Sequence, residues 1–260
     1  MTSQSKTALV TGASSGIGEA YANQLAARGY DLIIVARRED RLQRLALDLK
    51  QKYSKNIQII VADLANFTDL ERVSSCIAEA ENFDLIVNCA GLGALGTSQQ
   101  VKPQSVTQML QVNVIALTHL SLIAAKRFSQ QGSGNIINIG SIIAAMPVAG
   151  AGAYSGSKAY VLNFSKALQA ELKSQGVRVQ VIMPGPIKSE FFANTPSPFP
   201  EALFMQAETL VDIALQALDK GEDVIFPNLE DISLWEQYEI SRSALVRGLT
   251  QSGAVPSRYL

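Results

Sequence analysis

Tyr154 and Lys158 stand four residues apart, the spacing that puts two side chains on one face of a helix and brings an ammonium near a phenol. An isolated phenol with a pKa near 10 is a poor base at neutral pH. One positive charge at about 4 Å, in an effective dielectric of about 20, favours the phenolate by roughly 4 kcal/mol and lowers its pKa by up to about three before desolvation subtracts. Ser141 follows the apolar run Asn135 to Gly140, just past the carboxyl end of a buried strand, where open α/β sheets place their ligands. A hydroxyl there can polarise a carbonyl. Upstream, Thr11-Gly-Ala-Ser-Ser-Gly-Ile-Gly18 joins an apolar run to a helical stretch. Backbone N–H groups and the positive helix end can hold a pyrophosphate at such a turn, or the glycines can simply build a tight strand-to-helix connection. The spacing is Gly-x-x-x-Gly-x-Gly rather than Gly-x-Gly-x-x-Gly, and no Lys follows to make a P-loop.

Positioning these groups requires a frame, and the hydrophobic pattern supplies one. Short, β-branched apolar runs recur at 7–10, 32–36, 57–62, 85–88, 135–139, 177–183 and 223–226, each reading as a buried strand. Stretches of helical spacing lie between or after them at 18–28, 41–52, 70–81, 105–128, 159–173 and 205–219. Strands buried on both faces need helices above and below, which with right-handed crossovers points to the α/β class: a single-domain doubly wound parallel sheet over residues 1–260. The Pro-rich stretch 195–200 reads as part of a lid, about 189–205, rather than a domain boundary. Beyond Phe226 a C-terminal extension, about 229–260, carries Trp235, Tyr238, Leu245 and Leu249 at helical spacing. It packs on its own domain, edges the pocket or meets another subunit.

Composition excludes several classes of function. Hydrophobic residues make up 47% of the 260 and charged residues 17%, so the chain should fold compactly. Twenty-two Lys and Arg against 23 Asp and Glu give a net charge of −1, which leaves no basic excess for nucleic acid. Cys76, Cys89 and His119 cannot assemble a Cys/His zinc site within the chain, so no metal is expected. His119, in a long apolar helix, reads as packed or partly exposed. The polar start, Met1 to Lys6, lacks the continuous apolar region of a secretory signal, and the stretch around 142–153 falls well short of a bilayer span. Cytoplasmic localisation without a membrane partner is the expectation.

The second strand ends in Ala36-Arg37-Arg38, where an acidic side chain would otherwise hydrogen-bond a ribose 2′-hydroxyl. Two guanidiniums favour a 2′-phosphate: charge-assisted hydrogen bonds worth roughly 1.5–3 kcal/mol each are enough for a 10- to 100-fold preference for NADP (NADPH) over NAD. Glu39 and Asp40, next in the chain, suit the first turn of a helix and its dipole.

Taken together, Thr11-Gly-x-x-x-Gly-x-Gly18, Asp63-Leu64, Asn88-Cys-Ala-Gly91, Asn113, Ser141, Tyr154-x-x-x-Lys158 and Pro184-Gly185 resemble the classical short-chain dehydrogenase/reductase family over roughly residues 6–227. The resemblance implies a Rossmann fold, with Tyr154 as general acid/base, Lys158 as its activator, Ser141 as partner of the substrate carbonyl and Asn113 as support for a proton relay. It also implies a cofactor site made by Gly12, Ser14, Ser15, Gly16, Ile17 and Gly18 on the turn, Arg37 and Arg38 after the second strand, and Asp63 with Leu64 near the adenine. Asn88, Ala90 and Gly91 would lie beside the ribose, and Pro184, Gly185, Ile187 and Ser189 along the nicotinamide, next to Tyr154 and Lys158. Asn88 serves equally well as a tie between neighbouring strands. Ser189 stands where the family pattern places Thr and keeps the hydroxyl. A homodimer or homotetramer is implied as well.

Phe191, Phe192, Phe199, Leu203, Phe204 and Met205 fit either an apolar cover over the reacting carbon or a packed loop. The expected activity is NADP-dependent reduction of an apolar ketone or aldehyde, reversibly an alcohol, as in a carbonyl reductase or alcohol dehydrogenase. A 3-oxoacyl thioester reductase would use the same groups. An NADPH-sensing regulatory protein is the alternative of another class, but it has no need of a complete Ser141, Tyr154 and Lys158 set.

Overall fold

The apolar runs form strands because their β-branched side chains suit a pleated surface covered on both faces. The computed structural model describes residues 5–192 and 199–260, without the side chain of Phe192. In chain order the strands are β1 (Thr7–Thr11), β2 (Asp31–Ala36), β3 (Ile57–Val61), β4 (Phe83–Asn88), β5 (Gly134–Ile139), β6 (Val177–Ile182), β7 (Ile187–Lys188), β8 (Met205–Gln206) and β9 (Val224–Ile225). The helices are α1 (Gly16–Ala27), α2 (Glu39–Tyr53), α3 (Phe67–Glu79), α4 (Pro103–Leu110), α5 (Leu117–Gln131), α6 (Gly152–Leu172), α7 (Ala207–Lys220) and α8 (Ser233–Leu249). A π-helical turn, Gln111–Ala116, joins α4 to α5.

Seven strands pair in parallel in the order β3-β2-β1-β4-β5-β6-β9. The order reverses between β1 and β4, and in such sheets the ligand crevice lies beyond the carboxyl ends of those strands. Thr11 closes this point from below: its hydroxyl accepts from the N–H groups of Cys89 and Ala90, both at 3.0 Å. This is the doubly wound Rossmann arrangement that the alternating pattern implies.

Helices cover both faces. On one, Tyr21 and Leu25 of α1, Leu42 and Leu49 of α2, and Leu210 and Val211 of α7 pack on Val10, Ile34 and Leu85. On the other, Val73 and Ile77 of α3, Leu120 and Phe128 of α5, and Leu168 of α6 pack on Leu9, Ile33, Ile86 and Ile136. Phe83 and Phe128 stack there with centroids 5.4 Å apart. The continuous helical stretch 103–131 is long and apolar enough to match a membrane span, but Leu120, Ala124 and Phe128 spend that apolarity on the core.

Two elements depart from the expectation. Helix α6 starts at Gly152, seven residues before the expected 159, although Gly152 and Gly156 are weak helix formers. Packing decides it: Ser155, Ser157 and Lys158 are buried on this first part of the helix. A small two-stranded sheet, β7 with β8, pairs Ile187 with Met205 and has too few residues to leave a periodic signal. The chain divides into two compact units, the first ending at Pro227 and the second spanning Asn228–Leu260. In the second, α8 realises the expected helical stripe, Trp235 stacks on Tyr238 at 5.4 Å, and a 3-10 turn follows at Ser257–Tyr259.

Candidate active site

The turn between β1 and α1 is built for close approach of a ligand to the main chain. Gly12 has φ +69°, a conformation that L side chains rarely adopt, and a Cβ on it would stand 2.9 Å from Ala90 Cα. A Cβ on Gly18 would stand 2.3 Å from the Gly12 carbonyl oxygen, so α1 packs directly on the turn that precedes it. Ser15 is the N-cap but makes no side-chain cap, leaving the positive end of α1 without a capping side chain. Bare glycines and an uncapped helix start fit a pyrophosphate. Ser14, Ser15, Gly16 and Ile17 lie together on this turn.

Arg38 and Arg37 part company. Arg38 lays its fork on the turn: Nε and one terminal nitrogen reach Ser14 Oγ at 3.2 and 3.0 Å, and the same terminal nitrogen reaches Ser15 Oγ at 2.8 Å. Arg37 is exposed. Arg41, exposed as well, stands one helical turn on, and its Nη1 lies 2.6 Å from Glu190 Oε1, while Arg38 Nη1 lies 2.6 Å from Oε2. The sequence argument missed both residues. Arg41 was readable as the next residue on the same face of α2, whereas no motif marks Glu190.

Asp63 and Leu64 follow β3, and Asp63 Oδ1 accepts from Ala65 N at 3.0 Å, which fixes the loop. The Asn88 amide nitrogen reaches Ser121 Oγ and Asn138 Oδ1, both at 2.9 Å, and Asn138 in turn reaches Ser165 at 3.0 Å, while Asn88 Oδ1 is buried without a hydrogen-bond partner among the described residues, so the tie between strands and the ribose contact are compatible. This buried ladder ties β4 to β5, α5 and α6. Asn113 lies in the π-helical turn, a break in helical regularity that frequently marks functional sites. Its amide clasps the backbone of Leu92 on both sides, accepting from N at 2.8 Å and donating to O at 2.9 Å, and so fixes the loop carrying Ala90 and Gly91.

Ser141, two residues past β5, and Tyr154, in the first turn of α6, come together, and the Ser141 hydroxyl is near enough to favour the ionised phenol. Lys158 is only 7% exposed, donates to the Ile139 carbonyl at 2.8 Å and lies 5.8 Å from the Tyr154 ring centroid. The expected lowering of the phenol pKa does not occur among these protein groups. Burial pushes Tyr154 up to about 12, and the nearby Ser141 hydroxyl only partly opposes it. Lys158 is itself pushed down by burial, to about 8, so at neutral pH it is largely an ammonium held on a backbone carbonyl. The Coulomb argument left desolvation to be subtracted, and in the folded chain burial is the largest cause.

Pro184 to Ser189 run from β6 along the same mouth. The Pro184 carbonyl accepts from Ile142 N at 3.1 Å, and Ile187 is buried beside β8. Ser189 lies against the glycine turn, its Cβ 3.0 Å from where a Gly16 Cβ would be. Phe191 covers Tyr154 with ring centroids 5.5 Å apart. Of the expected lid, residues 193–198 and the Phe192 side chain lie outside the described residues. His119, half-buried, pairs with Glu71 at 3.2 Å, away from this cluster.

The short chain dehydrogenase family profile matches residues 6–198. A short-chain dehydrogenase from Sphingobium yanoikuyae, solved in complex with NADPH, superposes with a TM-score of 0.93 at 34% identity, covering 98% of this chain and 100% of its own. A bulky-bulky ketone specific alcohol dehydrogenase from Comamonas testosteroni gives a TM-score of 0.91 at 36% identity, covering 99% and 100%. A 3-oxoacyl-[acyl-carrier-protein] reductase from Rickettsia prowazekii is 36% identical over 185 residues, 71% of this chain and 74% of its own. With the glycine turn, the Ser141–Tyr154–Lys158 group and these matches in agreement, the chain belongs to the short-chain dehydrogenase/reductase family of oxidoreductases that act on CH–OH and C=O groups.

Proposed function

We propose that this protein is an NADPH-dependent reductase of apolar ketones, reversibly an alcohol dehydrogenase. The observation that carries the reading is the Ser141–Tyr154 hydroxyl pair backed by buried Lys158 and covered by the Phe191 ring. Similarity to the ketone-specific dehydrogenase and to the NADPH-bound relative supports it. Gly12, Gly16, Gly18 and the start of α1 would hold the pyrophosphate, and Arg38 with Arg41 the 2′-phosphate. When bound, NADPH supplies the hydride.

The chain's own groups manage the proton. A phenol held near pKa 12 is fully protonated at neutral pH, so Tyr154 stands ready to donate to the carbonyl oxygen. Ser141 shares that oxygen and orients it. Lys158, charged below about pH 8, stabilises the phenolate left behind. Asn113 keeps the Ala90–Leu92 loop in place, and Phe191 sets an apolar ring beside the phenol.

The sign of the pH dependence follows. Alcohol oxidation needs the phenolate, whose fraction grows with pH below the phenol pKa, whereas ketone reduction needs the phenol, which is present throughout. Oxidation kcat/KM should therefore climb from pH 6 to about pH 8 and level off as Lys158 loses its charge, while reduction does not climb. Oxidation that is flat from pH 6 upward would mean either that Tyr154 is already ionised, against its raised pKa, or that another group is the base.

A second reading, reduction of a 3-oxoacyl thioester, is supported by the similarity to the Rickettsia reductase. Comparing kcat/KM for an apolar aryl ketone and a 3-oxoacyl thioester separates the two. We expect the ketone to be favoured by about tenfold or more, the worth of one or two buried methylenes in a pocket. A thioester preference would overturn the substrate assignment and leave the chemistry standing.

A further inference from the structure

No motif marks Glu190, yet its carboxylate bridges the two guanidiniums that the NADPH reading assigns to the 2′-phosphate. Arg38 has the rest of its fork tied to Ser14 and Ser15, so the nitrogen it offers outward is the one that Glu190 holds. The neighbours of Glu190 in the chain are equally placed: Ser189 lies against Gly16, and Phe191 lies on the Tyr154 ring and against Gly93. One three-residue segment thus touches the pyrophosphate turn, the arginine pair and the reacting phenol. The two arginines also hold the Glu190 carboxyl below its ordinary range, so it is an anion across the physiological pH span.

We propose that Glu190 is the discriminating counter-anion of this site: it competes with the cofactor's 2′-phosphate for Arg38 and Arg41, and thereby links phosphate recognition to the seating of Phe191 on Tyr154. The inference rests on the NADPH reading above. A phosphate dianion offers more charge and more acceptor oxygens than a carboxylate and wins the exchange, at a cost in affinity. A 2′-hydroxyl requires no such exchange, so Glu190 weakens NADPH and leaves NADH nearly untouched.

Dissociation constants for NADPH and NADH, measured by fluorescence titration at low and high salt on wild type, Glu190→Gln, Glu190→Asp and Arg38→Ala, test this directly. Two partly exposed ion pairs predict that Glu190→Gln tightens NADPH by about tenfold and changes NADH by less than about twofold. NADPH binding should also become more salt-sensitive in Glu190→Gln, because the phosphate then meets two bare cations instead of replacing an anion. Glu190→Asp keeps the charge and should stay near wild type. The proposal is overturned if Glu190→Gln leaves NADPH unchanged or weaker while Arg38→Ala still loses NADPH, or if Glu190→Asp behaves as Glu190→Gln. An Arg38→Ala protein with an unchanged NADPH-to-NADH ratio would instead sink the NADPH reading, and this inference with it.

Discussion

Tyr154→Phe should lower kcat for ketone reduction by about a thousandfold while leaving the NADPH dissociation constant within about twofold of wild type, because a positioned general acid contributes about 10²–10⁴ in rate. The substitution removes one hydroxyl and keeps the ring on which Phe191 packs at 5.5 Å, so the site keeps its shape. What disappears is the hydroxyl that the proposed mechanism uses as proton donor, beside Ser141. A loss confined to KM would say that the phenol only binds substrate. Activity within about tenfold of wild type would show that another group delivers the proton, below the lower end of the range for general acid catalysis.

The second large effect is on the cofactor. Arg38→Ala should raise the NADPH dissociation constant by about 10- to 100-fold and change that for NADH by no more than about threefold, as expected for the loss of charge-assisted hydrogen bonds. Arg37→Ala should have the smaller effect, since Arg37 is exposed and Arg38 is anchored on Ser14 and Ser15. Equal loss of both cofactors would mean that Arg38 acts by bracing the glycine turn rather than by selecting phosphate. A larger loss in Arg37→Ala would reverse the assignment of the two residues.

The frame was largely legible in the sequence because its signals are local. Each buried strand is a short β-branched run, and parallel pairing with covering helices follows from that. Tyr154 and Lys158 were legible because four residues on a helix set their relation, even though the small residues around Tyr154, from Gly152 to Ser157, hid the start of that helix. What escaped was set by distance in the chain. Glu190 reaches back to Arg38 and Arg41 over about 150 residues, and no pattern near Glu190 announces that contact. The Tyr154 pKa escaped for a different reason: Lys158 spends its hydrogen bond on the Ile139 carbonyl, and burial outweighs the charge that the spacing promised. Asn88 shows the same limit, since only the assembled sheet reveals that its amide faces Ser121 and Asn138.

The central claim is hydride transfer from NADPH to a carbonyl under control of this site. Initial rates of NADPH and NADH oxidation by the wild-type protein with an apolar aryl ketone, with the alcohol product quantified, test it most directly. We expect ketone-dependent NADPH consumption matched one-for-one by alcohol, with kcat/KM at least about tenfold above that with NADH, in line with the arginine contacts. Faster turnover with NADH, or NADPH binding without carbonyl-dependent oxidation, would contradict the account.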